Sequence, residues 1–498
     1  MPIRAADFAV LLVYLGGITL FGAWFRRGQT SVRDYFLGGR SAPWWALAAS
    51  IVATETSTLT IIGTPGIAFA GTLGFLQLAL GYILGRVVIS VLFIPAYFRG
   101  EFYTAYALIE KRFGAGTRRI AALTFLGTRA LAEGVRLNAI GKVVSVAFGT
   151  GSRFSVAAIT ALTLFYTFEG GMKAVIWTDL VQLVLYLAGS AAAFWLLLGK
   201  IPGGWGEVVR VSAATGGKLR VFDFAFNLTQ AYTFWAGVIG GTFLTLASHG
   251  TDQTMVQRLL AARNQRDSQK AIIASGLLVF VQFALFLLVG VMLFVYAQHA
   301  PLAIPQGDRD RIFPAFVVHE MPVGLAGLVL AAMFAVAMSN ASGSLNSLAS
   351  SSIMDFLGLW RPAPPRRAGT AGRREEGDPA RLLRISRRAT LVWGVLIGGL
   401  ALVDWGPVLE AGLTIASITY GSLLGLFLLG LLNPRATSAG AVAGMIAGLA
   451  VILWVWHYTP LAWTWYVLAG TVPTFVVGSL ASLLDNPRKN AMQKAPEG

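Results

Sequence analysis

Thirteen apolar runs dominate the chain, near 5–25, 44–70, 75–98, 120–148, 154–168, 174–199, 231–251, 270–298, 322–353, 387–404, 407–432, 437–457 and 461–484. A helix of about 20 apolar residues crosses the ~30 Å hydrocarbon core of a bilayer. Only a helix or a closed barrel satisfies its own backbone there. The runs are too long for barrel strands, so the expected fold class is an all-α integral membrane protein with about 13 transmembrane helices. Charge is too sparse for any other answer. Charged residues make up 12% of the 498 and hydrophobic ones 56%, against the ~25% charged residues of a soluble domain. A soluble enzyme and a disordered chain are both excluded. The absence of cysteine removes disulfides, thiolate metal sites and thiol nucleophiles.

The formal charge of +16 would suggest nucleic acid in a soluble protein. Here it reads as the basic bias of cytoplasmic loops, and no nucleic-acid partner is expected. An odd number of spans puts the termini on opposite sides. Most of the 39 Lys and Arg residues fall inside when the N-terminus is outside and the C-terminus cytoplasmic. The expected location is the cell membrane, and the first run is an uncleaved span rather than a signal peptide. The densest basic stretch, 355–388, is a cytoplasmic loop.

Two runs are not plain apolar helices. The second carries Ala53-Thr54-Glu55-Thr56-Ser57-Thr58, then Thr60, then Gly63-Thr64-Pro65-Gly66. The seventh carries Gly237, Gly240-Gly241, Thr242, Thr245 and Ser248-His249-Gly250-Thr251. Polar, Gly/Pro-punctuated backbone at membrane depth is tolerated where it lines a cavity. Interrupted helices at matching positions point to a transporter's binding site. Their spacing pairs spans two to six with seven to eleven as two five-helix halves. Free carbonyls at a break can hold a cation, and the N-terminus of a half-helix favours an anion.

Other polar groups sit inside the spans. Ser339, Ser342 and Asn346 share one face of the ninth span, an oxygen-rich face suited to Na⁺. Asp179 lies in the sixth span as a cation ligand, a proton carrier or the partner of an intramembrane arginine. The fourth span holds Arg129, Glu133, Arg136 and Lys142. One arginine pairs with Glu133 and the other is free to grip a carboxylate. Arg86 is snorkelling or paired, Glu410 and Asp404 lie near the outer face as solvated groups, and His249 is placed at the broken seventh span. The four histidines show no metal spacing, and no acid–base–nucleophile set or nucleotide motif is present.

These features come together in a family resemblance. Asp34-Tyr35-Phe36-Leu37-Gly38-Gly39-Arg40, the Ala53–Gly66 stretch, Glu110-Lys111-Arg112-Phe113, Gly170-Gly171-Met172 with Trp177-Thr178-Asp179, Thr251-Asp252-Gln253 with Gln257-Arg258, Glu320-Met321-Pro322 and the Ser339–Ser347 face follow one another in order. In this the chain resembles the sodium:solute symporters. The resemblance implies a leucine-transporter-type fold, a five-plus-five inverted repeat with one helix before it and two after. The expected units are 1–30 (first helix), 44–199 and 231–432 (the repeats), 437–484 (two last helices) and 485–498 (cytoplasmic tail). It also implies a sodium site made by the carbonyls of Ala53, Thr56 and Val336 with the side chains of Ser339 and Asn340. Asn340 stands where family members usually carry Ser or Thr. A second coupling site would use Asp179 and Ser342, with Gly343 in place of a hydroxyl. Substrate contacts are expected from Ser57, Thr60, Gln77 and Arg129 or Arg136, with Thr245, Ser248 and His249 as further candidates.

The expected function is sodium-coupled import of a small organic solute bearing a carboxylate, by alternating access. Na⁺ is the coupling ion, no organic cofactor is needed, and the chain is not an enzyme. Its partners are the solute and the lipid bilayer. The alternatives are proton coupling on the same fold and a transporter-like membrane sensor.

Overall fold

The computed structural model describes residues 3–24, 40–99, 105–166, 172–300, 308–352 and 379–485. The Asp34–Gly39 stretch, Gly170-Gly171, most of the 355–388 loop and nearly all of the 485–498 tail lie outside the described residues. Within them the chain is helical, with no strand beyond one isolated bridge between Ala42 and Ala262.

Helix occupies each of the thirteen apolar runs. In order these are α1 (Ala5–Trp24), α2 (Trp44–Glu55) with α3 (Thr58–Ala70), and α4 (Leu76–Val88) with α5 (Ile94–Phe98). Next come α6 (Ala105–Phe148), α7 (Ser152–Tyr166), α8 (Met172–Lys200) and the short helix α9 (Gly204–Ala214). The second half brings α10 (Gly241–Gly250), α11 (Gln253–Leu260), α12 (Gln265–His299), α13 (Ile312–Glu320) and α14 (Leu325–Ser351). Last are α15 (Pro379–Ala401), α16 (Val408–Leu432), α17 (Ser438–Tyr458) and α18 (Tyr466–Leu484). Among the described residues seven spans pass by length and apolarity alone, and nine if two bent pairs are each counted once. One of these pairs is α6 and α7, which meet at 113°. Gly114, at φ +82°, separates the short first segment of α6 from its long span.

The two broken spans differ. α2 and α3 meet at 66° across Thr56 and Ser57. The break therefore falls ahead of Gly63-Thr64-Pro65-Gly66, and Pro65 sits inside α3. The seventh span does not part in the same way. Its glycines form a π-helical turn, Ala236–Gly240, that runs directly into α10. The reason is packing. A Cβ at Gly237 would collide with Gln77, one at Gly240 with the Thr464 carbonyl, and one at Gly241 with the Leu78 carbonyl. Small residues here bring backbones together.

The same device recurs. A Cβ on Gly290 of α12 would overlap the Pro65 carbonyl of α3, and Gly421 of α16 faces Gly470 of α18 backbone to backbone. Gly290→Ala is expected to cost on the order of 1–3 kcal/mol by overpacking, read as a lower melting temperature in detergent. An unchanged melting temperature would show that α12 and α3 separate freely.

Candidate functional site

The site begins at the α2–α3 break. In an unbroken helix Ser57 N–H would donate to the Ala53 carbonyl and Thr60 N–H to the Thr56 carbonyl. Here Ser57 N–H donates to Glu55 O (2.9 Å) and Thr60 N–H to Ser57 O (2.9 Å). The break thus redirects the donors of the two carbonyls that the sequence nominates as sodium ligands. Thr56 is fully buried, and its hydroxyl is fixed by the amide of Gln282 in α12, with Thr56 Oγ1 to Oε1 at 2.9 Å and to Nε2 at 2.7 Å. α14, which carries Val336 and Asn340, packs against α3. The Asn340 amide nitrogen is buried with no acceptor among the described residues. The side chains of Ser339, Ser342 and Asn346 lie outside the described residues.

Beside the break is a cavity of ≈ 140 Å³. Ser57 and Thr60 face it from α3, Arg129 and Arg136 from α6, and Thr245, Ser248 and His249 from α10. Ser57 is the N-cap of α3, but its side chain makes no cap bond. Its hydroxyl and the positive end of the half-helix both serve the cavity. Apolar side chains complete the walls: Leu59, Phe75, Phe125, Phe283, Leu409 and Leu413. Of the nominated substrate residues, Gln77 alone does not line it. Its amide donates to the carbonyls of Gly74 (3.2 Å) and Tyr232 (3.0 Å) and accepts from Asp223 N–H (2.9 Å). It is spent on backbone.

The charges around the cavity are mostly compensated. Fully buried Arg86 pairs with Glu55, and its Nη2 stands 3.2 Å from His249 Nε2. Arginine can only donate, so His249 Nε2 accepts and Nδ1–H faces Ser248 Oγ at 2.8 Å. That leaves the Ser248 proton for the cavity. Arg136 pairs with Glu133 at 3.1 Å. Asp252 caps α11 through Thr254 N–H (2.8 Å) and accepts from Tyr420 OH (3.0 Å). Arg129 differs: its recorded partner is the neutral Ser344 hydroxyl, at 2.9 Å. Among the described residues it is the cavity-lining cation with no carboxylate partner.

Asp179 is paired with an arginine, Arg258, which lies between the seventh and eighth apolar runs. Its Oδ2 accepts from Arg258 Nη2 (3.0 Å), Ser50 Oγ (2.7 Å) and Thr54 Oγ1 (3.3 Å), tying α8 to α2 and α11. Glu410 is not simply solvated. It pairs with Arg309 and accepts from Tyr232 OH at 2.7 Å, next in sequence to the cavity-lining Leu409. Asp404 accepts from Gly406 N–H at 3.1 Å. Arg86 is paired, one of the two roles the sequence offered it, whereas Gln282 is a part of the site that the sequence left without a role. An amide in the middle of the apolar run of α12 was the available signal.

The family model for the sodium:solute symporter family matches residues 35–448. A human sodium/iodide cotransporter is 30% identical over 459 residues, covering 90% of this chain and 68% of that protein. A sodium/sialic acid symporter of Proteus mirabilis (strain HI4320) is 28% identical over 507 residues, covering 97% and 96%. The solved substrate-bound, outward-open structure of a Na⁺-coupled sialic acid symporter superposes with a TM-score of 0.82 at 27% identity, over 97% of this chain and 98% of that one. A nucleobase-cation-symport-1 family transporter shares the fold at a TM-score of 0.57 and 13% identity, over 90% of this chain and 93% of its own.

Proposed function

The chain belongs to the sodium:solute symporter family, and from that premise we propose that it imports a small, carboxylate-bearing organic solute with Na⁺ by alternating access. The observation that carries the carboxylate is Arg129, a cavity-lining guanidinium whose recorded partner is a neutral hydroxyl. The N-terminus of α3 adds favourable field for an anion. Ser57, Thr60, Thr245 and Ser248 supply neutral polar contacts, and the apolar wall suits a solute body with little hydroxylation.

Sodium is the coupling ion in this reading. Its ligands are the carbonyls of Ala53, Thr56 and Val336 with Ser339 and Asn340, so that the ion bridges the break and α14. Bridging orders Ser57 and Thr60 toward the solute. Solute binding then favours closure at the outer side and opening at the inner side. Segments 44–199 and 231–432 act as the two halves, with the N-terminus outside and the C-terminus cytoplasmic.

The test is uptake of labelled carboxylates by proteoliposomes under an inward Na⁺ gradient, with KCl as control. Ser339→Ala is expected to lower sodium affinity and coupled uptake together. Unchanged sodium dependence in that variant would remove Ser339 from the site. A second reading, proton coupling, is favoured by His249 standing 3.5 Å from Glu55 at the cavity wall. Uptake that follows a pH gradient in sodium-free buffer would select it.

A further inference from the structure

The spacing of α6 sets up a competition that α14 resolves. Arg129 and Glu133 are four residues apart on one helical face, the spacing at which such side chains pair. They do not pair here. Ser344, reaching across from α14, stands between them: its Oγ accepts from Arg129 Nε at 2.9 Å and donates to Glu133 Oε2 at 2.7 Å. The Asn340 carbonyl, 2.8 Å away, is a second acceptor for the same single proton. Arg136 takes the remaining interaction at Glu133 Oε2, 3.1 Å away. Glu133 Oε1 is left buried, with no donor among the described residues. A buried carboxylate oxygen without a donor is costly, so this slot would be filled by the first donor to reach it.

We infer that Ser344 couples sodium to solute by holding Arg129 away from Glu133. The inference rests on the reading of Arg129 as the solute's cation. With α14 seated against α3, Ser344 occupies Arg129 Nε and leaves both terminal nitrogens for the cavity. When α14 moves off, Ser344 leaves with it. Arg129 then swings to the vacant Oε1 of Glu133 and neutralises itself, and the cavity loses its anion-binding charge. A sodium ion bridging the break and α14 holds the first state. It therefore raises solute affinity without touching the solute, and by linkage the solute raises sodium affinity equally. Ser344 is a positioning residue one helical turn beyond Asn340 on the helix proposed to carry the sodium ligands.

The experiment needs no known solute. Full-length protein in lipid nanodiscs is treated with phenylglyoxal, which modifies unpaired guanidinium groups. Modification of the Arg129 peptide is followed by mass spectrometry in NaCl or KCl at equal ionic strength. Exposed Arg435 serves as internal standard, and melting temperature is recorded in parallel. Sodium is expected to speed Arg129 modification about tenfold, within the ordinary range of coupling between sites. In Ser344→Ala, sodium still raises the melting temperature, but Arg129 is modified at one slow rate in both salts. Ser344→Thr, which keeps the hydroxyl, restores the sodium effect. Glu133→Gln removes the competing carboxylate, so Arg129 is modified rapidly in both salts; this variant carries the test if Ser344→Ala does not fold.

Sodium-independent modification in the unaltered protein, with a sodium-dependent melting temperature, would overturn the inference and leave sodium symport standing. A retained sodium effect in Ser344→Ala would overturn it as well. Conversely, normal carboxylate uptake by Arg129→Gln would remove Arg129 as the solute's cation while the sodium-dependent modification stood.

Discussion

Arg129→Gln is expected to weaken carboxylate binding by ten- to a hundredfold while leaving the sodium-induced rise in melting temperature intact. A hydrogen bond to a charged group is worth about 1.5–3 kcal/mol, and each 1.4 kcal/mol is about tenfold in affinity. The substitution removes the cavity-lining cation that has no carboxylate partner among the described residues, while retaining polarity and most of the side-chain length. Arg136 cannot stand in, because it is held by Glu133 at 3.1 Å. Binding is read by solute-dependent melting in saturating sodium and by uptake into proteoliposomes. Equal affinities in the two proteins would show that the solute is not gripped through a carboxylate at this position, and a neutral solute would become the reading to pursue. Arg129→Lys is the informative companion. It keeps the charge but loses the planar fork, so an intermediate loss marks a two-point contact.

The largest stability effect is expected at Arg86. Its side chain is wholly buried and pairs with Glu55 at the cavity wall. Arg86→Met leaves the Glu55 carboxylate with His249 as its neighbouring partner. Breaking a buried pair by removing one partner costs about 3–5 kcal/mol, enough to prevent recovery of folded protein in detergent. Glu55→Gln combined with Arg86→Met removes both charges and is expected to recover most of that loss. Melting temperatures of the two single variants and the double variant complete the cycle. A double variant no better than Arg86→Met would mean that Arg86 acts through packing, with its stem against Gly276, rather than through charge. Transport by the recovered double variant then separates folding from function: sodium-driven uptake that persists excludes Glu55 as an obligatory proton carrier.

Much of this architecture was legible in the apolar runs, because crossing a bilayer leaves the backbone few options. The break in the second span was legible as a region but not as a position. Proline drew attention to residues 63–66, whereas the helix parts at Thr56 and Ser57. A proline inside a helix removes a single hydrogen bond, and at Pro65 the bare face of Gly290 accommodates the local backbone. The seventh span misled for a related reason. Glycine-rich sequence looks the same whether it unwinds a helix or lets two helices touch, and here Gln77, Leu78 and Thr464 press on it. Gln77 was nominated by resemblance, yet its amide is consumed by the connection between α9 and the seventh span. The arginines of α6 were legible as intramembrane charges. Which one stays free was not, because a serine 215 positions further along decides it.

The glycine contacts also say where the molecule can come apart. Two helices joined backbone to backbone have no side chain to swing aside and fill the gap that separation would leave. Lipid tails are poor substitutes in such a narrow seam. α3 with α12, and α16 with α18, should therefore travel as fused pieces through the transport cycle. The contacts able to open are those that water can heal: Arg309–Glu410–Tyr232 beside Leu409 and Asp252–Tyr420 at the cavity. Glu410 and Tyr420 both belong to α16, ten residues apart and therefore about 15 Å along one helix. A single tilt of that helix would break one contact while pressing the other shut. On the proposed alternating-access reading, this helix is where opening at one end and closing at the other would be linked.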